Sequence, residues 1–133
     1  WGGAGFLCFA FLPALGLPPE LPAAAAADLM ARQTWWLATA FGSCAGLALV
    51  VFSSGWSWRV LGAVILALPH AIGAPHPGAA EIGPAPPELA AQFVMNSLFA
   101  SAVMWAVLGL SAAYVFSRMM TSETSNLTAP KAT

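Results

Sequence analysis

Residues 35–58 read WWLATAFGSCAGLALVVFSSGWSW. The run from Trp35 to Phe52 is apolar, and tryptophans bracket it: Trp35 and Trp36 open it, and Trp56 and Trp58 follow its far end. Trp36 and Trp56 stand twenty positions apart, roughly 30 Å along a helix. That separation matches two aromatic belts at opposite faces of a bilayer. Within the run, Gly42-Ser43-Cys44-Ala45-Gly46 forms a small-xxx-small face suited to close helix packing. This stretch predicts a membrane-spanning helix and decides the fold class.

The rest of the chain agrees. Of 133 residues, 59% are hydrophobic and 7% charged, and mean hydropathy is +0.78. A soluble domain is about a quarter charged. Four basic and five acidic side chains cannot coat a globule of this size with a solvated surface. A net charge of −1 gives no basic footprint for a phosphate backbone. Soluble enzymes, disordered tails and nucleic-acid-binding domains are therefore excluded. The class that remains is an all-α, polytopic transmembrane protein.

Four apolar segments are expected, at about residues 1–17, 35–52, 59–74 and 89–117. The first is short, roughly 25 Å if helical, and Gly16-Leu17-Pro18-Pro19 stops it. No basic region precedes it, so it does not read as a signal peptide. With Trp1 in first place, the chain reads as cut or processed at its N-terminus. The alanine-rich stretch 20–33 reads as an interfacial helix, with Asp28 and Arg32 at i, i+4 as an ion pair. The third segment ends in Pro69-His70-Ala71-Ile72-Gly73-Ala74-Pro75-His76-Pro77, a density of prolines and glycines that should break the helix. Pro86-Pro87-Glu88 reads as a helix start. The fourth segment, roughly 43 Å long if helical, is followed by a polar tail at 118–133 that reads as disordered. Asn126-Leu127-Thr128 is a glycosylation sequon by pattern only, since this tail is expected inside.

Basic residues set the orientation. The turn after Phe52 and the tail share one side and carry Arg59, Arg118 and Lys131; the other side carries Arg32. The positive-inside rule makes the first side, and the C-terminus, cytoplasmic. Glu20, Asp28, Glu81, Glu88 and both histidines then lie at the outer face. A mouth rich in carboxylates and imidazoles attracts cations and offers them ligands.

No phosphate-binding loop, nucleophile elbow or metalloprotease motif occurs. The chain is not expected to be an enzyme. Cys8 and Cys44 lie in apolar runs and read as small buried hydrophobes. His70 and His76 are the strongest chemical candidates. They flank a turn that can bring both rings to one ion, with Glu20 as a third ligand. The plainer readings are an imidazole bonded to a neighbouring helix for His70, and solvated loop residues for His76 and Glu20. A lone histidine in an apolar segment also suits the axial position of a haem or chlorophyll-type pigment. Met95, Met104, Met119 and Met120 read as packing residues, and Asn96 and Ser97 as an interhelical hydrogen bond.

Three blocks carry a family resemblance. The first runs Gly16-Leu17-Pro18-Pro19-Glu20-Leu21-Pro22, then Ala26-Ala27-Asp28-Leu29-Met30-Ala31-Arg32-Gln33-Thr34-Trp35-Trp36. The others are Leu68-Pro69-His70-Ala71-Ile72-Gly73-Ala74-Pro75 and Pro87-Glu88-Leu89-Ala90-Ala91-Gln92-Phe93. In this order they resemble the CbtA family of probable cobalt transporter subunits. The resemblance implies a polytopic membrane subunit whose substrate is Co²⁺, working beside a small CbtB-like partner. It also implies further spans before residue 1, so that this chain is a C-terminal portion. Glu20, Asp28, Arg32 and His70 fall on the matching motifs, while His76 falls outside them. The family implies no ligand set; from their chemistry and place at the outer face, His70, His76, Glu20 and Asp28 are the expected metal-facing residues, with His70 ahead of His76. The competing expectation is a structural accessory subunit of a larger membrane complex, its histidine incidental or holding a pigment or haem.

Overall fold

The computed structural model describes residues 1–22, 24, 26–77 and 86–128, with side chains as far as Thr121. Every regular element among them is helical. The helices are α1 (Gly2–Gly16), α2 (Leu29–Phe52), α3 (Trp56–Ile72) and α4 (Pro87–Thr128). Two of them, α2 and α4, are long and apolar enough to cross a bilayer. The other two are shorter apolar helices. The 17 residues of α3 give roughly 25 Å of axis against a hydrocarbon core of about 30 Å.

Local chemistry explains where each helix begins and ends. Before α2, the prolines at 18, 19 and 22 remove amide donors, and Asp28 is extended at φ −49°, ψ 133°. The Ala31 amide donates to Asp28 Oδ1 at 2.9 Å, which makes Asp28 the N-cap. Among the described residues before Leu29 the expected interfacial helix over 20–33 is absent, and its last residues are the first turn of α2. At the far end Ser53 is extended, and Arg59 Nε donates to the Ser53 carbonyl at 3.1 Å. In α3, Pro69 does not break the helix as expected. It lies in the last turn, its carbonyl accepts from the Gly73 amide at 3.0 Å, and the chain leaves only at Gly73. Gly73 has φ +89°, a conformation open to glycine. The Pro86 carbonyl accepts from the Leu89 and Ala90 amides and starts α4.

The polar tail departs from expectation too. Instead of losing structure at 118, the backbone stays helical to Thr128. Extending an established helix costs far less than nucleating one. The Thr121 hydroxyl also donates to the Ser117 carbonyl across that boundary. Residues 129–133 lie outside the described part.

The main contacts run from α3 to α2, from α2 to α1 and from α1 to α4. The first contact is tight. A Cβ on Gly62 would fall 2.6 Å from the Gly46 carbonyl oxygen, so the two backbones touch where the small-residue face predicts. Trp1 stacks on Phe52 at 6.4 Å and Phe9 meets Trp36 at 6.4 Å, so α1 runs antiparallel to α2. Gly109 lies against Gly2, and Trp105 stacks on Phe9 at 5.9 Å. Helix α4 is thus antiparallel to α1.

The buried side chains on α2 are small: Thr39, Ala40 and Ser43, together with Gly46. Large apolar side chains point outward, with Phe41 at 68%, Phe99 at 72% and Leu110 at 73% exposure. A core helix of a soluble protein would be mostly covered. Helix α4 has no fully buried residue along its apolar window and touches α1 on one side, leaving apolar faces of the kind that meet lipid or another subunit. Met95, Met104 and Met119 are exposed on it, so they do not pack a core here. Asn96 is also exposed, and neither Asn96 nor Ser97 makes a side-chain hydrogen bond among the described residues.

Candidate functional site

The antiparallel packing sorts the polar residues to two ends. One holds Trp1, the 53–55 turn and Arg59, with Arg118 beyond Gly109 on the same side. The other holds the end of α1, Glu20, the N-terminus of α2 and the C-terminus of α3. The second end carries the candidate site.

Glu20 reaches back to α2, where its Oε2 lies 2.9 Å from Arg32 Nη2. The two side chains are 27% and 28% exposed. The pairing of Asp28 with Arg32 expected from the i, i+4 spacing does not form. Asp28 precedes the helix and its carboxylate is held by the Ala31 amide, so Arg32 turns to Glu20 instead. Half-exposed pairs of this kind are worth about 1 kcal/mol or less.

One turn further along α2, the Trp35 indole fills the space left by Gly16. A Cβ on Gly16 would fall 2.6 Å from Trp35 Cζ2 and 3.2 Å from Ala74 Cβ. On its other side Trp35 meets His70 edge-on, with ring centroids 6.0 Å apart and planes at 72°. His70 occupies the last turn of α3.

Among the described residues, four buried polar atoms have no hydrogen-bond partner: Arg32 Nε, Trp35 Nε1, Thr39 Oγ1 and His70 Nε2. Positions 32, 35 and 39 form one helical stripe, and the Trp35 ring meets His70. The expected bond from His70 to a neighbouring helix is not made through Nε2. An unpartnered buried imidazole nitrogen is costly for packing alone and suited to a ligand.

The other candidates stand apart. His76 is exposed in the irregular segment after Gly73, and Asp28 is exposed as a cap. Glu88 is exposed in the first turn of α4, and Glu81 lies outside the described residues. Among the described residues, no three His, Cys, Asp or Glu side chains gather into a cluster able to hold a metal ion. The expected meeting of His70, His76 and Glu20 is thus not preassembled. An open cavity of about 630 Å³ lies at this end between α1, α2 and α4, lined among others by Pro13, Pro19, Arg32, Trp36 and Ser101. Sequence reading missed Trp35 and Thr39 as site residues. Their i+3 and i+7 relation to Arg32 becomes a stripe only once Leu29 is known to start the helix.

The model of the CbtA family, described as a probable cobalt transporter subunit, matches residues 1–117. No curated protein and no solved structure matches the chain. The match covers all four helices except the distal part of α4, including the Glu20, Arg32 and His70 end. This membrane chain belongs to the CbtA family of probable cobalt transporter subunits.

Proposed function

We propose that this chain is the membrane subunit that takes Co²⁺, or a similar divalent ion, from the outer face of the bacterial inner membrane. All four helices sit in the bilayer, the short α1 and α3 being accommodated by packing on α2. Arg59, Arg118 and Lys131 put the opposite end and the C-terminus in the cytoplasm.

The observation that carries the reading is His70 Nε2, buried and without a partner among the described residues at the carboxylate-bearing end. A neutral imidazole is a good ligand for Co²⁺. Asp28, Glu88 and His76, exposed at the rim, concentrate the cation there. Glu20 becomes a second ligand when its pairing with Arg32 opens. Trp35, edge-on to His70, covers the imidazole and must shift to admit the ion. The chain carries no nucleotide-binding motif, so energy comes from an ion gradient or from a partner such as a CbtB-like small subunit.

Uptake of radioactive cobalt by cells carrying the complete transporter tests this. His70→Ala abolishes accumulation while the protein still reaches the membrane in normal amount. Undiminished uptake by that variant would falsify the assignment.

A further inference from the structure

The chain has two cysteines, and the fold brings them together. Cys8 is on α1 and 3% exposed, Cys44 is half-buried on α2, and both line the same cavity between the two helices. No disulfide joins them. They face one cavity of about 490 Å³, otherwise lined mainly by apolar side chains such as Ala4, Leu47, Val51 and Phe52. Cys8 also sits in the irregular part of α1, since residues Leu7–Phe11 form a π-helical turn. Such turns insert a residue, change which carbonyls are engaged, and recur at functional sites. Cys44 lies well inside α2, far from both of its ends.

We infer that Cys8 and Cys44 form an intramembrane site for a divalent, thiolate-accepting cation. This rests on the transport reading and adds a second station to it, inward of His70. The charge arithmetic favours it. A bare divalent ion in the bilayer interior is prohibitively costly, whereas one ion held by two thiolates is a neutral unit. Binding forms two metal–sulfur bonds and breaks two S–H bonds, and the two protons leave to solvent. No electron is transferred, so no oxidant is required. Thiolates bind borderline and soft ions and leave Mg²⁺ and Ca²⁺ aside. The cavity has room for the ion and for water ligands, each water needing about 30 Å³.

The test is titration of the purified full chain in lipid nanodiscs with Co²⁺ alone, read in the near ultraviolet. Thiolate-to-cobalt charge transfer gives a band there that imidazole and carboxylate ligands do not. The expected result is a saturable band with release of two protons per ion. It is lost in Cys8→Ser and in Cys44→Ser and kept in His70→Ala. Cysteine-to-serine changes preserve volume, and circular dichroism verifies the fold of each variant. No band in the wild-type chain overturns the thiol site, and so does a band that survives both serine variants. Cobalt uptake that still depends on His70 would then leave the function standing without this station. A thiol band in a chain whose uptake ignores His70 would support the station and remove the outer ligand.

Discussion

Trp35 lies edge-on against His70 at 6.0 Å, and it can do so because position 16 carries no side chain. The indole is the piece that joins the end of α1 to the last turn of α3. Gly16→Val should therefore expel it, at a cost of about 1–3 kcal/mol from overpacking. Thermal unfolding in detergent reads the loss. Trp35→Leu in the same chain should recover part of it, and strictly additive effects would contradict the contact.

The α2–α3 crossing should be intolerant of any side chain at Gly62. A Cβ there meets backbone and the Leu49 Cβ at 2.6–2.9 Å, and neither can swing away. Gly62→Ala should lower the unfolding midpoint, again by about 1–3 kcal/mol. Gly42→Ala is the contrast. Its Cβ would find its nearest neighbour at 3.9 Å, so gained helix propensity of up to about 1 kcal/mol should leave it neutral or stabilised.

Asp28 should matter to stability through its oxygen rather than its charge. Asp28→Ala removes the acceptor for the Ala31 amide and should cost about 1 kcal/mol. Asp28→Asn keeps an acceptor and should unfold close to the wild type. Equal loss in both variants would point to the charge instead.

Much of the fold was legible because membrane helices announce themselves in composition. The tryptophan bracket marked α2, and the Gly42–Gly46 face marked the side that meets α3. Boundaries were less legible. Position 28 reads as helical by its spacing to Arg32, yet an aspartate after a proline-rich stretch caps better than it continues. That one displacement moved the start of α2 and misassigned the partner of Arg32. The contact of Trp35 with His70 and the cavity shared by Cys8 and Cys44 involve residues on different helices. They depend on helix order and tilt, which local pattern does not encode. Of the site, His70 and Glu20 stood out as residue types, while Trp35 and Thr39 looked like ordinary membrane-helix residues.

Freeing Glu20 should strengthen cation capture. Arg32→Gln removes both the partner and a positive charge at the mouth. Equilibrium dialysis should show Co²⁺ binding up to about fivefold tighter, the limit set by a half-exposed pair worth no more than about 1 kcal/mol. Weaker binding would mean that Arg32 itself holds the site in shape.

The most direct test of the central claim is X-ray absorption at the cobalt edge of the Co²⁺-loaded full chain, wild type against His70→Ala. Imidazole leaves a multiple-scattering signature that water and carboxylate do not. The account predicts that signature in the wild-type chain and its disappearance in His70→Ala. An oxygen-only shell in the wild type, or an imidazole signature unchanged by the substitution, would contradict it.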